Sequence, residues 1–221
     1  SYKNSRGQSV TTYYTYHKIG NIPIDLKELE ITVINDVVAS AKKYTYGDNN
    51  KLAKTFTGCI GINFSSNFKM PESILDNATY PPIDKETYSY IYDKNGNIVQ
   101  INYNGRLLAS YLWGYQGKHP IVEAIGIEYN NLLKEAIKCG YNENYYIVDK
   151  SLPNMFNSLR AAFKGKEIST YTYHWLLGMA SATDARGITN SYLIDEFGRL
   201  SGIKDNNGYF IKKYNYNYRG F

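Results

Sequence analysis

A short string, Tyr-x-Tyr-Asp-x-x-Gly followed by Asn or Arg and then Ile or Leu, returns along this chain. It constrains the architecture before any local propensity does, because a repeat dictates repeated structure. The clearest copies are Tyr90-Ile91-Tyr92-Asp93-Lys94-Asn95-Gly96-Asn97-Ile98 and Tyr192-Leu193-Ile194-Asp195-Glu196-Phe197-Gly198-Arg199-Leu200. Looser copies start at Tyr14, where His17 stands for the Asp, and at Tyr44, which has lost the Gly and gained a residue. Others start at Tyr171, where His174 stands for the Asp, and at Tyr214. Interleaved with them are Asn102-Tyr103-Asn104-Gly105, Asp184-Ala185-Arg186-Gly187 and Asp205-Asn206-Asn207-Gly208. An Asp or Asn at i with Gly at i+3 is the type I turn preference: the short side chain bonds nearby backbone and Gly accepts the exit conformation. The turn residues are therefore Asp93, Gly96, Gly105, Asp184, Gly187, Asp195, Gly198, Asp205 and Gly208. Between turns the segments have strand length, and Ile188, Asn190, Tyr192 and Ile194 alternate with Thr189, Ser191 and Leu193. Asp184 and Asp205 stand 21 residues apart. Each unit reads as one β-hairpin.

These motifs resemble the YD repeats of RHS proteins. Several ordered strings are similar to the variety found in Bacteroidetes: Tyr111-Leu112-Trp113-Gly114-Tyr115 with Gly117 and Pro120, then Asn157-Ser158-Leu159-Arg160, then Thr170-Tyr171-Thr172-Tyr173, then Gly178 to Thr189. The resemblance runs from about Tyr44 to the C-terminus, and more weakly through the first forty residues. It implies a mainly β fold, in which tandem antiparallel hairpins form a curved, extended sheet. It also implies an extracellular or cell-surface setting, a scaffold role without catalysis, and further YD repeats as partners. In that family the repeats wall off or present something else, often a C-terminal toxin. This chain shows neither the Asp-Pro-x-Gly-Leu type motif that usually precedes the toxin nor a toxin-like tail.

Composition narrows the field. Twenty-four Tyr stand against eight Phe and two Trp. Tyr suits a strand with one wet face, the ring packing across to its neighbours and the hydroxyl reaching water. The formal charge is +5, but Lys and Arg are scattered singly or in pairs, which fits a solvated face and gives no support to nucleic-acid binding. No apolar run approaches the roughly 20 residues of a membrane span, and the polar start is not a signal peptide, so the chain reads as an excised or mature piece. Two cysteines, Cys59 and Cys139, leave pairing open, and without a Cys-x-x-Cys they give zinc no support.

The hairpin pattern breaks from Glu128 to Gly165. Leu132, Leu133, Ala136 and Ile137 share one face of a short helix that ends at Lys138 and Gly140. A second candidate helix runs from Asn154 to Gly165, capped by Asn154 or Ser151. Each has about ten residues, too few to be stable alone, so both must dock, most simply on the sheet. The organisation expected is hairpins over 1–127, a helical insertion over 128–165 and hairpins over 166–221, as one continuous unit.

No catalytic or metal constellation emerges, and no cofactor is expected. His17 and His174 are read as turn residues, Glu28 and Glu30 as a chance pair of carboxylates, and Asp205-Asn206-Asn207 as a turn without the ligand pattern of a calcium loop. Trp113, Tyr115 and Trp175 are candidate sugar-stacking residues if exposed, and anchors for the helical cover if buried. Four readings stay open beside the scaffold: a carbohydrate-binding module, an adhesion or assembly element acting through open edges, a remnant of a toxin-enclosing shell, and a hydrolase within 65–82 or 128–165.

Overall fold

The computed structural model describes residues 1–19, 22–47, 50–58, 62–63, 83, 85–142, 144, 151–174 and 177–216. The strands are β1 (Tyr2–Lys3), β2 (Ser9–Ile19), β3 (Ile22–Ile34), β4 (Val37–Tyr46), β5 (Leu52–Gly58), β6 (Ile62–Asn63), β7 (Lys85–Tyr92) and β8 (Ile98–Tyr103). They continue as β9 (Arg106–Gly114), β10 (His119–Ile125), β11 (Glu167–His174), β12 (Gly178–Thr183), β13 (Thr189–Ile194), β14 (Leu200–Lys204) and β15 (Phe210–Lys213). Between β10 and β11 lie the helices α1 (Tyr129–Lys138) and α2 (Leu152–Ala162). The fold is mainly β: one open antiparallel sheet whose strands follow chain order, with β6 off the path against β4. The expected chain of hairpins is what forms.

The chain divides into two compact units, Ser1–Ile91 with Ile101–Arg106, and Tyr92–Gln100 with Leu107–Phe221. In the first unit, β2, β3 and β4 are the long strands. Alternate residues Leu29, Ile31 and Val33 of β3 bury their side chains with Val38 and Ala41 of β4, and Tyr13 and Ile83 pack against them. A strand that buries every second residue has one core face and one wet face.

In the second unit the core is built by the helices. Leu132 and Ala136 of α1 and Leu152, Met155, Phe156 and Leu159 of α2 pack with Leu112, Ile121, Val122, Ala124 and Ile168 of β9, β10 and β11. The short helices thus dock on the sheet as an apolar cover. Tyr129 N–H at the start of α1 donates to Gln100 Oε1 (3.0 Å), satisfying one of the donors that every helix start leaves free. At its end Tyr141 N–H donates to Ala136 O (3.1 Å) and Gly140 N–H to Ile137 O (3.0 Å). With Gly140 at φ +88° this is a Schellman motif, which explains the glycine. In α2 the cap position falls to Ser151, with Pro153 in the first turn, and Asn154 lies inside the helix.

Candidate functional site

The turns repeat one hydrogen-bond pattern. At Asp195 the backbone N–H donates to Arg199 O (2.8 Å) and Gly198 N–H donates to Asp195 O (3.0 Å). Asp195 Oδ1 accepts from Phe197 N–H and Arg199 N–H, both at 2.9 Å. Asp93, Asp184 and Asp205 form the same bonds with their own i+2, i+3 and i+4 residues. Gly96, Gly187, Gly198 and Gly208 all take positive φ, between +77° and +89°. This is a type I turn closed by a left-handed residue, a standard hairpin connection whose αL position favours glycine. Asn4-Ser5-Arg6-Gly7 is a further copy: Asn4 Oδ1 accepts from Arg6 N–H and Gln8 N–H, each at 3.0 Å. That copy carries the same sequence signal, Asn at i with Gly at i+3.

Three turns differ from expectation. The Asn102 to Gly105 segment is not a four-residue type I turn. Asn102 lies in β8 with its amide donating to Ser89 Oγ (3.3 Å), and the reversal is made by Asn104 (φ +49°) and Gly105 (φ +70°). Two successive positive φ angles are the type I′ hairpin, for which Asn-Gly is the preferred pair, and Asn35-Asp36 (φ +46° and +61°) does the same between β3 and β4. After Tyr46 no residue has been gained: Gly47 N–H donates to Lys51 O (2.9 Å), and Asn50 (φ +59°) occupies the left-handed place of the missing glycine. His17 is no turn residue; it lies in β2, its Nδ1 2.6 Å from Glu28 Oε1. His174 ends β11, with Nε2 3.4 Å from Tyr192 O.

Trp113 is half-buried against the helical core, its indole N–H donating to Ile98 O (2.8 Å), while Tyr141 O–H donates to Trp113 O (2.9 Å). Tyr115 O–H accepts from Tyr173 N–H (2.9 Å), and its ring meets Tyr173 edge-on at 5.4 Å. His119 stacks on Tyr173 at 4.3 Å. These groups tie β9, β10 and β11 together. Trp175 and Cys59 lie outside the described residues; Cys139 is half-buried beside the helical core and pairs with no cysteine among the described residues.

Tyr hydroxyls bridge strands in place of reaching only water. Glu123 on β10 accepts from Tyr111 O–H of β9 (3.2 Å) and Tyr171 O–H of β11 (3.0 Å). Burial, with Glu123 adding to it, pushes both phenols up to about 12. Tyr46 O–H donates to Lys27 O (2.7 Å) and Tyr173 O–H to Pro120 O (3.0 Å).

One cleft in the second unit was not foreseen. It holds about 270 Å³, and α2 supplies one wall through Pro153, Phe156, Asn157 and Arg160. The floor is a terrace of hydroxyls. Thr170 of β11 faces Thr183 of β12, which faces Thr189 of β13; Thr172 faces Ser181 in the next row. Thr172 and Ser181 hydroxyls lie 2.6 Å apart, those of Thr183 and Thr189 2.8 Å. Arg160 Nη2 donates to Thr170 Oγ1 (2.9 Å) and Ile168 O (3.4 Å), while its buried Nε has no partner. The available signal was Ser or Thr at every second position of three adjacent strands. Among the described residues no three or more His, Cys, Asp or Glu side chains gather as a metal site would require, and no helix is long and apolar enough to cross a membrane.

No family model matches the chain, and no curated protein matches it in sequence. Among solved structures it is similar to one described as TcdB2-TccC3-TEV, at TM-score 0.42 and 13% identity over 88% of this chain and 8% of that one. It is similar also to TcdB2-TccC3, at TM-score 0.42 and 12% identity over 85% of this chain and 9% of that one. The chain spans less than a tenth of the length of either neighbour.

Proposed function

We propose that this chain is a non-enzymatic scaffold segment of an RHS-like, YD-repeat protein, secreted or held at a cell surface, whose partners are further repeats of the same product. The observation that carries the reading is the recurrence of one turn, bond for bond, at Asp93, Asp184, Asp195 and Asp205. A turn that serves only to reverse the chain, used again in hairpin after hairpin, is a building device. Repeats of this kind contact mainly their neighbours, and their stability is a sum of local terms. Trp113 and Tyr115 commit their polar atoms within the chain, which favours a scaffold over a stacking platform.

Removal of one repeat tests the reading. Deleting residues 184–204 joins Thr183 to Asp205, so that the Asp205 turn returns the chain along β12 in place of β13. A scaffold of interchangeable hairpins predicts a shorter protein with β-type circular dichroism and one cooperative urea transition. A chain that no longer folds would show that these hairpins are not interchangeable and would overturn the proposal.

A further inference from the structure

We infer that the cleft between α2 and the hydroxyl terrace of β11 to β13 is a binding site for a small polyhydroxylated carboxylate, of the size of one acidic monosaccharide. Arg160 supplies the charge selectivity. Among the described residues no carboxylate forms an ion pair with it; Asp184 commits its Oδ2 to Arg186 Nη2 at 2.8 Å and its Oδ1 to the turn. A guanidinium has five N–H donors, and the bonds to Thr170 and Ile168 engage only Nη2. The cation is half-buried, and burial lowers its pKa while Asp184 opposes the shift. A partly desolvated cation beside open volume, with no ion-pair partner among the described residues, is completed by an anion, and the hydroxyl terrace then favours a carboxylate carried on a hydroxylated ring.

The terrace supplies the rest of the specificity. Each hydroxyl has one hydrogen to give and two lone pairs. When Thr172 pairs with Ser181, and Thr183 with Thr189, each pair uses one hydrogen and keeps the other for the cleft. Thr170, buried at the base of the row, accepts from Arg160 and holds the guanidinium beside these pairs. Such a surface both donates and accepts, as the hydroxyls of a sugar do. Phe156 and Pro153 on the opposite wall offer apolar area to the C–H face of a ring. The cleft's volume of about 270 Å³ lies just under the roughly 300–1,000 Å³ of ligand pockets, which suits one ring and not a chain of them.

Titration calorimetry of the whole chain with sodium glucuronate, glucose and inorganic phosphate tests this. Glucuronate is expected to bind saturably, with glucose weaker by about tenfold or more because it lacks the charge-assisted contact, and phosphate weaker by about tenfold or more because it offers no ring hydroxyls to the terrace. Arg160→Gln is expected to lose about tenfold for glucuronate. Because Arg160 also braces β11, Ser181→Ala with Thr189→Ala forms a second arm, expected to weaken glucuronate several-fold. No saturable glucuronate binding, equal affinity for glucose or phosphate, wild-type affinity in folded Arg160→Gln, or wild-type affinity in the hydroxyl double variant would each overturn the inference.

Discussion

At Asp195 a single carboxylate accepts from two backbone N–H groups through Oδ1 and from Arg199 Nε and Nη2 through Oδ2, at 2.9 and 2.7 Å. The Arg199 guanidinium, then the backbone donors, hold this carboxyl below the ordinary aspartate value of 3.8. At Asp184 the Ile188 N–H comes first, with Arg186 next, and the direction is the same. A carboxyl depressed by folding adds stability above its unfolded value, and that stability is lost as the pH falls through the depressed value. The urea midpoint is therefore expected to drop below pH 3.8, and to drop less steeply in Asp184→Asn with Asp195→Asn, which keeps the Oδ1 acceptors and removes the charge. The tyrosines around Glu123 act at the other end of the scale. Their phenols titrate near 12 when folded and near 10 when unfolded, so the stability they add is complete below 10 and is lost from 10 to 12. Tyr111→Phe with Tyr171→Phe is expected to flatten that alkaline loss, followed by circular dichroism against pH.

At the scale of elements, the helices show what holds an irregular insertion on a regular sheet. With ten and eleven residues, α1 and α2 depend on docking, and Leu159 of α2 is wholly buried among sheet and helix side chains. Leu159→Ala is expected to cost about 2–5 kcal/mol, read as a lowered urea midpoint with unchanged slope. Much of this was legible in the sequence, because helix faces and turn residues are local signals. The apolar spacing of Leu132, Leu133 and Ala136 and the stop at Gly140 sufficed for α1. Asp184 to Gly187 and Asp205 to Gly208 sufficed for their hairpins. The misses have local reasons too. Asn50 does the work of a glycine because Asn tolerates the left-handed region, and the Asn104-Gly105 pair selects a tighter turn than the Asn102 spacing suggested.

For the molecule as a whole, the sheet follows the chain strand by strand, so topology could be inferred from turns alone. The cleft could not. Arg160 and Thr183 lie on different elements, and the register that aligns Thr170, Thr183 and Thr189 in one row exists only once three strands have paired. Alternating Ser and Thr in a strand otherwise reads as an ordinary wet face. What the sequence does carry at this scale is one turn used again at Asp93, Asp184, Asp195 and Asp205. Amide hydrogen exchange measures it most directly, at Asn95 and Asn97, Arg186 and Ile188, Phe197 and Arg199, and Asn207 and Tyr209. The expected result is slow exchange of both amides in each of these four turns, with Asp205→Ala releasing only Asn207 and Tyr209. Exchange of these amides at the rate of an unstructured peptide in the wild-type protein would contradict it.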